Sequence, residues 1–207
     1  MAATVVSHPL VAERLTRLRV RSTQRPEFRQ VLSELSTFVL YEALRNLETT
    51  TVDIDTPLEP TSGVTITAPP LLIPVMRAGL GMLDAALGLL PDARVGFIGL
   101  KRDEETLLPH AYANTVPDDL DGRSCLVLDP MLATGGSLAH TVELLEAANA
   151  GPITVACVLA SPEGIDLMTE KYPHVEVWTA SIDEALNDVG FIRPGLGDAG
   201  DRQFGLS

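Results

Sequence analysis

Residues 126–137, LVLDPMLATGGS, place an acid, two hydroxyls and two adjacent glycines at the exit of a short apolar run. Glycines let backbone N–H groups turn inward and let a ligand approach closely. A helical pattern begins right after them, and a helix N-terminus favours anions. Thr134 and Ser137 add hydroxyl donors, and no Lys or Arg lies among them. Such groups suit a phosphate monoester held by dipoles and hydroxyls. The G-x-x-x-x-G-K spacing of a P-loop is absent. Asp129 can accept hydrogen bonds from sugar hydroxyls, and a diol acceptor next to a phosphate cradle suggests a ribose 5-phosphate. The competing reading is a tight strand-to-helix turn capped by Ser or Thr.

Other elements must hold this loop. Apolar, β-branched runs predict strands at 71–75, 94–100, 124–128, 153–160 and 175–180, with helices at 81–90, 136–149 and 163–172. Near-continuous apolar strands are those covered on both faces, as in parallel sheets. Helices are expected at 10–21 and 27–47. In the second, Phe28, Val31, Leu32, Leu35, Val39, Leu40 and Leu44 recur at helical spacing, and Pro26 suits its first turn. The Thr-, Pro- and Asp-rich stretch 48–62 reads as a loop, and the insert 101–123 as a flap or β-hairpin. The fold expected is α/β: a central, mostly parallel sheet flanked by helices, with N-terminal helices and a β-arm insert, all in a single domain over 1–207. Ligands of such sheets bind at the carboxyl ends of the strands. That gives weight to Arg77, Arg102 and 129–137, each just past a strand.

A net charge of -13 argues against nucleic acid and anionic membranes as partners. Residues 1–50 nevertheless hold seven Lys and Arg against five Asp and Glu. Six arginines between Arg14 and Arg29 read as a solvated or subunit-interface helix face, or more sharply as an anionic effector site. Exposed N-terminal helices suggest at least a dimer. Cys125 and Cys157 sit in apolar runs, as core thiols of a reducing compartment do. The four histidines show no metal-ligand spacing. The sequence lacks a signal-peptide pattern, and its apolar stretches are too short for a bilayer, so a cytoplasmic location is expected.

An acid followed by ATGGS resembles the PRPP-binding loop of type I phosphoribosyltransferases, and Pro130 after the acid resembles the uracil phosphoribosyltransferase version. PVMRAGLGM (74–82) resembles that family's pyrophosphate-side loop, RDEET (102–106) its flexible arm, and TASID (179–183) with GFIRPGLGDAGDR (190–202) its uracil-binding end. YEA (41–43) and HPL (8–10) fit its N-terminal part. The resemblance implies conversion of uracil and PRPP to UMP and pyrophosphate in pyrimidine salvage, with Mg²⁺, by a homo-oligomer. It implies PRPP contacts from Arg77, Arg102, Asp129, Pro130, Met131, Leu132, Ala133, Thr134, Gly135, Gly136, Ser137 and Asp198. Uracil contacts fall to Ile192, Gly197, Asp198 and Ala199 in a C-terminal segment 190–207. Catalysis falls to Arg77, Arg102 and Asp198, with Asp198 as the candidate protein contact to the metal. Strained backbone, with a cis peptide, is expected around 76–78. Lys101, Arg193 and the segment 111–120 depart from the pattern and leave the flap's shape open. Among rival readings, a dinucleotide-binding oxidoreductase would use Gly79 and Gly81, but Asp84 stands at the third glycine position. A non-catalytic nucleotide sensor and an enzyme for another base are the others.

Overall fold

The computed structural model describes residues 3–102 and 109–205, with the backbone alone at 101, 102, 109 and 110. The chain opens with β1 (Thr4–Val5) and α1 (Pro9–Arg19), where His8 Nδ1 accepts the Leu10 N–H at 3.1 Å and caps the helix. The periodic stretch beyond it forms α2 (Arg25–Ala43); Phe28, Val31, Leu32, Leu35, Val39 and Leu40 are completely buried, while Leu44 falls at the C-cap and is half-buried.

Residues 48–62 do not form the expected loop. They contribute most of an antiparallel hairpin, β2 (Thr49–Asp55) and β3 (Pro60–Ile66), closed where Thr56 N–H donates to Glu59 O. Threonines supply much of this hairpin. Thr favours strands as Val and Ile do, but a polar strand lacks the apolar period by which strands are recognised.

The rest of the chain follows the expected alternation: β4 (Leu71–Met76), α3 (Leu80–Leu89), β5 (Ile98–Arg102), β6 (Pro109–Asn114), β7 (Cys125–Leu128), β8 (Met131–Leu132), α4 (Gly136–Ala147), β9 (Ile153–Ala160), α5 (Pro162–Lys171) and β10 (Glu176–Ile182). Among the described residues they build an eight-stranded sheet in the order β1-β10-β9-β7-β4-β5-β6, with β8 also on β9. Its pairings are parallel except β5 with β6. The second expected strand starts late. Val95 makes one bridge to Leu72, and regular pairing begins only at Ile98. The insert is a hairpin over β5 and β6, whereas 115–123 turns back onto the body and buries Leu120.

Alternate residues of the central strands enter two separate cores. Leu72, Leu126, Leu128, Ala156 and Val158 pack with α1, α2 and α3. Ile73, Val75, Val127, Val155 and both cysteines pack with α4 and α5. Covered faces on both sides explain why these strands read as unbroken apolar runs. Among the described residues no helix is long and apolar enough to cross a membrane.

The Gly-rich C-terminus is built, not frayed. It forms β11 (Ala185–Leu186), β12 (Ile192–Arg193) and α6 (Ala199–Phe204). Arginines dock it. Arg19 forks onto Asp183 through Nη1 (2.6 Å) and Nη2 (2.5 Å) and donates to Gly195 O at 2.9 Å. Arg202 donates to the carbonyls of Leu18, Leu196 and Val20 and stacks on Phe28, 4.3 Å from the ring centre. Four of the six N-terminal arginines are engaged within the chain: Arg14 and Arg17 with glutamates, Arg19 with Asp183, and Arg29 with Gln203 O.

Burial pushes the Asp183 carboxyl up, but the Arg19 fork, the Gly195 N–H and Ser181 outweigh it and hold it below the usual carboxylate range. A depressed carboxylate stabilises the fold above about pH 4, and that stability is lost as pH falls through the lowered pKa. Arg19→Met strands the Asp183 charge and is expected to remove about 3–5 kcal/mol at neutral pH, as for other broken buried pairs. Urea unfolding checks it; a loss under about 1 kcal/mol, the scale of a surface pair, would contradict the docking role.

Candidate active site

The carboxyl ends of β4, β5 and β7 open onto a cleft of about 520 Å³. The turn from β8 into α4 forms one wall. Gly135 adopts φ 80°, a left-handed conformation that favours glycine, and supplies no capping side chain. The N-cap position is therefore a glycine, not the Ser or Thr of the turn-only reading. A Cβ on Gly135 would press within 3.0 Å of Leu167. Above Gly136 the space is open, with Thr134 Oγ1 as nearest atom at 3.7 Å. The two glycines thus differ: the first makes the turn, and the second leaves room over the first N–H groups of α4. The positive φ belongs to Gly135, while Gly136 is helical. Ser161, fully buried at the start of α5, fixes the loop from below, donating to Ala133 O at 2.6 Å.

Asp129 follows β7 and lines the cleft. Burial pushes its carboxyl up to about 7, against the opposing Met131 N–H at 3.3 Å. Arg77 projects from the β4–α3 turn, and the Met76–Arg77 peptide is cis, as expected. Its Nη2 stands 3.4 Å from Asp201 Oδ1 on α6. Asp198 Oδ1 caps that helix by accepting the Asp201 N–H at 2.8 Å.

Of the residues singled out in the sequence, Arg77, Asp129, Met131, Ala133, Ser137, Ile192, Gly197, Asp198 and Ala199 line this one cleft. Thr134, Gly135 and Gly136 complete the turn between Ala133 and Ser137. Pro130 and Leu132 go elsewhere. Both are buried, and their carbonyls accept from Val158, Leu159 and Ser161 N–H, so they tie the loop to β9 and α5 rather than face the cleft. The Arg102 side chain lies outside the described residues.

Sequence reasoning began the uracil-binding segment at 190 and gave no role to 187–189, nor to the Phe191 side chain. Asn187 Oδ1 accepts the Val189 and Phe191 N–H groups, and these two apolar residues, 70% and 44% exposed, overhang the cleft. The available signal was an aromatic beside a glycine, Gly190-Phe191. Among the described residues no three acidic, His or Cys side chains gather to hold a metal.

Residues 5–206 match a family model described as uracil phosphoribosyltransferase. A curated relative of that name from Streptomyces avermitilis is 52% identical over 206 residues, covering 98% of each chain. One from Nocardioides is 49% identical over 211 residues, covering 100% of this chain and 99% of the relative. A solved structure of an Aquifex aeolicus protein superposes with a TM-score of 0.92 at 37% identity, covering 99% of each chain. A purine phosphoribosyltransferase from Pyrococcus horikoshii shares the fold, with a TM-score of 0.52 at 21% identity over 74% of this chain and 84% of its own.

The glycine division is testable by stability. Gly135→Ala should cost about 1–2 kcal/mol, the penalty for a left-handed alanine, whereas Gly136→Ala should stay within about 0.5 kcal/mol or gain slightly. Equal effects in urea unfolding would contradict it. The raised Asp129 pKa means that ionising this carboxyl opposes folding, with a penalty that grows from about pH 4 and is complete above about pH 7. Asp129→Asn should therefore match the parent near pH 4 and exceed its stability at pH 8, by on the order of 4 kcal/mol at about 1.36 kcal/mol per pH unit. A gain that does not grow with pH would show that Asp129 is not desolvated.

Proposed function

The chain belongs to the uracil phosphoribosyltransferase family, and we infer that it transfers the phosphoribosyl group of PRPP to uracil, giving UMP and pyrophosphate in pyrimidine salvage. The observation that carries this reading is the gathering, in one cleft, of a neutral phosphate cradle, a buried acid after β7, an arginine after β4 and the Gly-rich segment 192–199.

In this reading the N-terminal N–H groups of α4, with the Thr134 and Ser137 hydroxyls, hold the 5-phosphate. Asp129, once ionised, accepts the ribose hydroxyls. The C1–O bond to pyrophosphate breaks and a bond from C1 to uracil N1 forms, with loss of the N1 proton. The transition state resembles an oxocarbenium ion, so rate comes from positioning and from charge opposite the leaving group. Arg77 supplies that charge with a planar donor fork suited to phosphate oxygens. Arg102 is assigned the same task on the strength of the family resemblance. Backbone groups of Ile192 and 197–199 read the two carbonyls and N3–H of uracil, and Val189 with Phe191 shields the base from water.

Mg²⁺ binds phosphates with few protein ligands. Asp198 fits such a role: it is exposed in the cleft, offers hard oxygens, and commits only Oδ1 to the helix cap. Bound Mg²⁺ would neutralise charge on the pyrophosphate group. Buried, unpaired Cys125 and Cys157 support a reducing, cytoplasmic setting. Ile54, Leu58 and Val64, exposed on the β2–β3 hairpin, support a homo-oligomer, since an isolated hairpin is marginal in water.

A base screen with PRPP and Mg²⁺ tests the reading. UMP should form from uracil, and cytosine, with its reversed donor and acceptor at position 4, should react at least ~10²-fold more slowly in kcat/KM. Equal turnover of the two bases would overturn the assigned specificity.

A further inference from the structure

Gln203 lies on α6 and is completely buried. Its Nε2 donates to Ala78 O at 3.0 Å and to Ala199 O at 2.8 Å. Only the nitrogen end of the amide can face two carbonyls, which fixes its orientation. Gln203 O accepts from Arg29 Nη1 at 2.8 Å, so the residue is anchored on α2 as well. Its Oε1 has no partner among the described residues. Packing stability alone does not favour this, because an orphaned buried acceptor is costly and an apolar side chain of the same volume would avoid it. The surroundings are shaped to the amide: a Cβ at Gly81 would stand 1.9 Å from Oε1.

The two carbonyls that Gln203 joins belong to two different segments of the cleft lining, which meet where Ala78 lies against Gly200. Ala78 follows Arg77 in the turn that faces the leaving group. Ala199 follows Asp198 in the segment that reads the base. Asp201, two residues before Gln203, meets the Arg77 guanidinium itself. We propose that Gln203 is a positioning residue that sets the separation of the Arg77 turn from the base-reading segment, and so holds leaving group and nucleophile in line across C1. This rests on the phosphoribosyl-transfer reading above. Small errors in such alignment are expensive in rate.

The test is Gln203→Met, which conserves volume and removes both N–H donors, made in the parent and in the Arg77→Ala background. Steady-state kinetics with PRPP, uracil and Mg²⁺ should show kcat/KM lower by ~10-fold or more in the parent background. The effect should vanish when Arg77 is already absent, because residues acting through one another are not additive. Circular dichroism should show a folded variant. Unchanged kcat/KM would overturn the proposal, and so would the same fold-loss in both backgrounds, which marks a general structural role. Failure of both Gln203→Met and Gln203→Leu to fold would overturn it too, by making the amide a requirement of the fold. The unsubstituted protein is the control on the underlying reading: if it makes no UMP from uracil, that reading fails and takes the proposal with it, whereas an active parent with an indifferent Gln203 sinks only the positioning role.

Discussion

Parallel pairing of β4, β7, β9 and β10 is the constraint on which the site depends. Pro74 pairs with Leu128, Leu128 with Ala156, and Ala160 with Ile182, so the strands run out at the same edge. Each exit then carries a different group: Arg77, Asp129, Ser161 and Asp183. Only two cores, one on each sheet face, can hold strands in that arrangement, since parallel strands need crossover helices that cover both sides. Burial of aliphatic side chains therefore fixes the edge, and the edge fixes the chemistry.

The protein carries a charge of -13 and yet must bind a polyanion. In the proposed reading, local dipoles and single cations do what the global field does not. One end of the cleft offers helix N–H groups under Gly136, where a side chain would fill the space a phosphate needs. The other offers Arg77, whose guanidinium meets Asp201. Asp129 is desolvated enough that its carboxyl is pushed up to about 7, so its charge is costly without hydrogen-bond donors.

Most of this was legible where burial imposes a period. The strand 153–160 and the apolar face of α2 follow from hydrophobic spacing alone. The hairpin β2–β3 was not legible, because its exposed strands use threonine where others use aliphatics. The docking of the C-terminus was not legible either. Arg29 and Arg202 bind backbone carbonyls, which every residue has, and Arg19 binds a carboxylate 164 residues away, so no spacing of residue types announces the contacts. Pro130 and Leu132 read as ligand contacts by their place in the loop, yet their carbonyls are spent on β9 and α5. The different duties of Gly135 and Gly136 needed a φ angle to separate.

The central claim is that a neutral cradle at 134–137 and a base-reading surface at 192–199 share one nucleotide. A crystal structure of the protein with UMP tests it most directly. The account predicts phosphate oxygens within hydrogen-bond distance of the Gly136 and Ser137 N–H groups, ribose hydroxyls on Asp129, and the base against Ile192 and Ala199. A phosphate bound instead at Arg77, or in the recess lined by Arg21 and Arg25, with the 134–137 turn untouched, would contradict it.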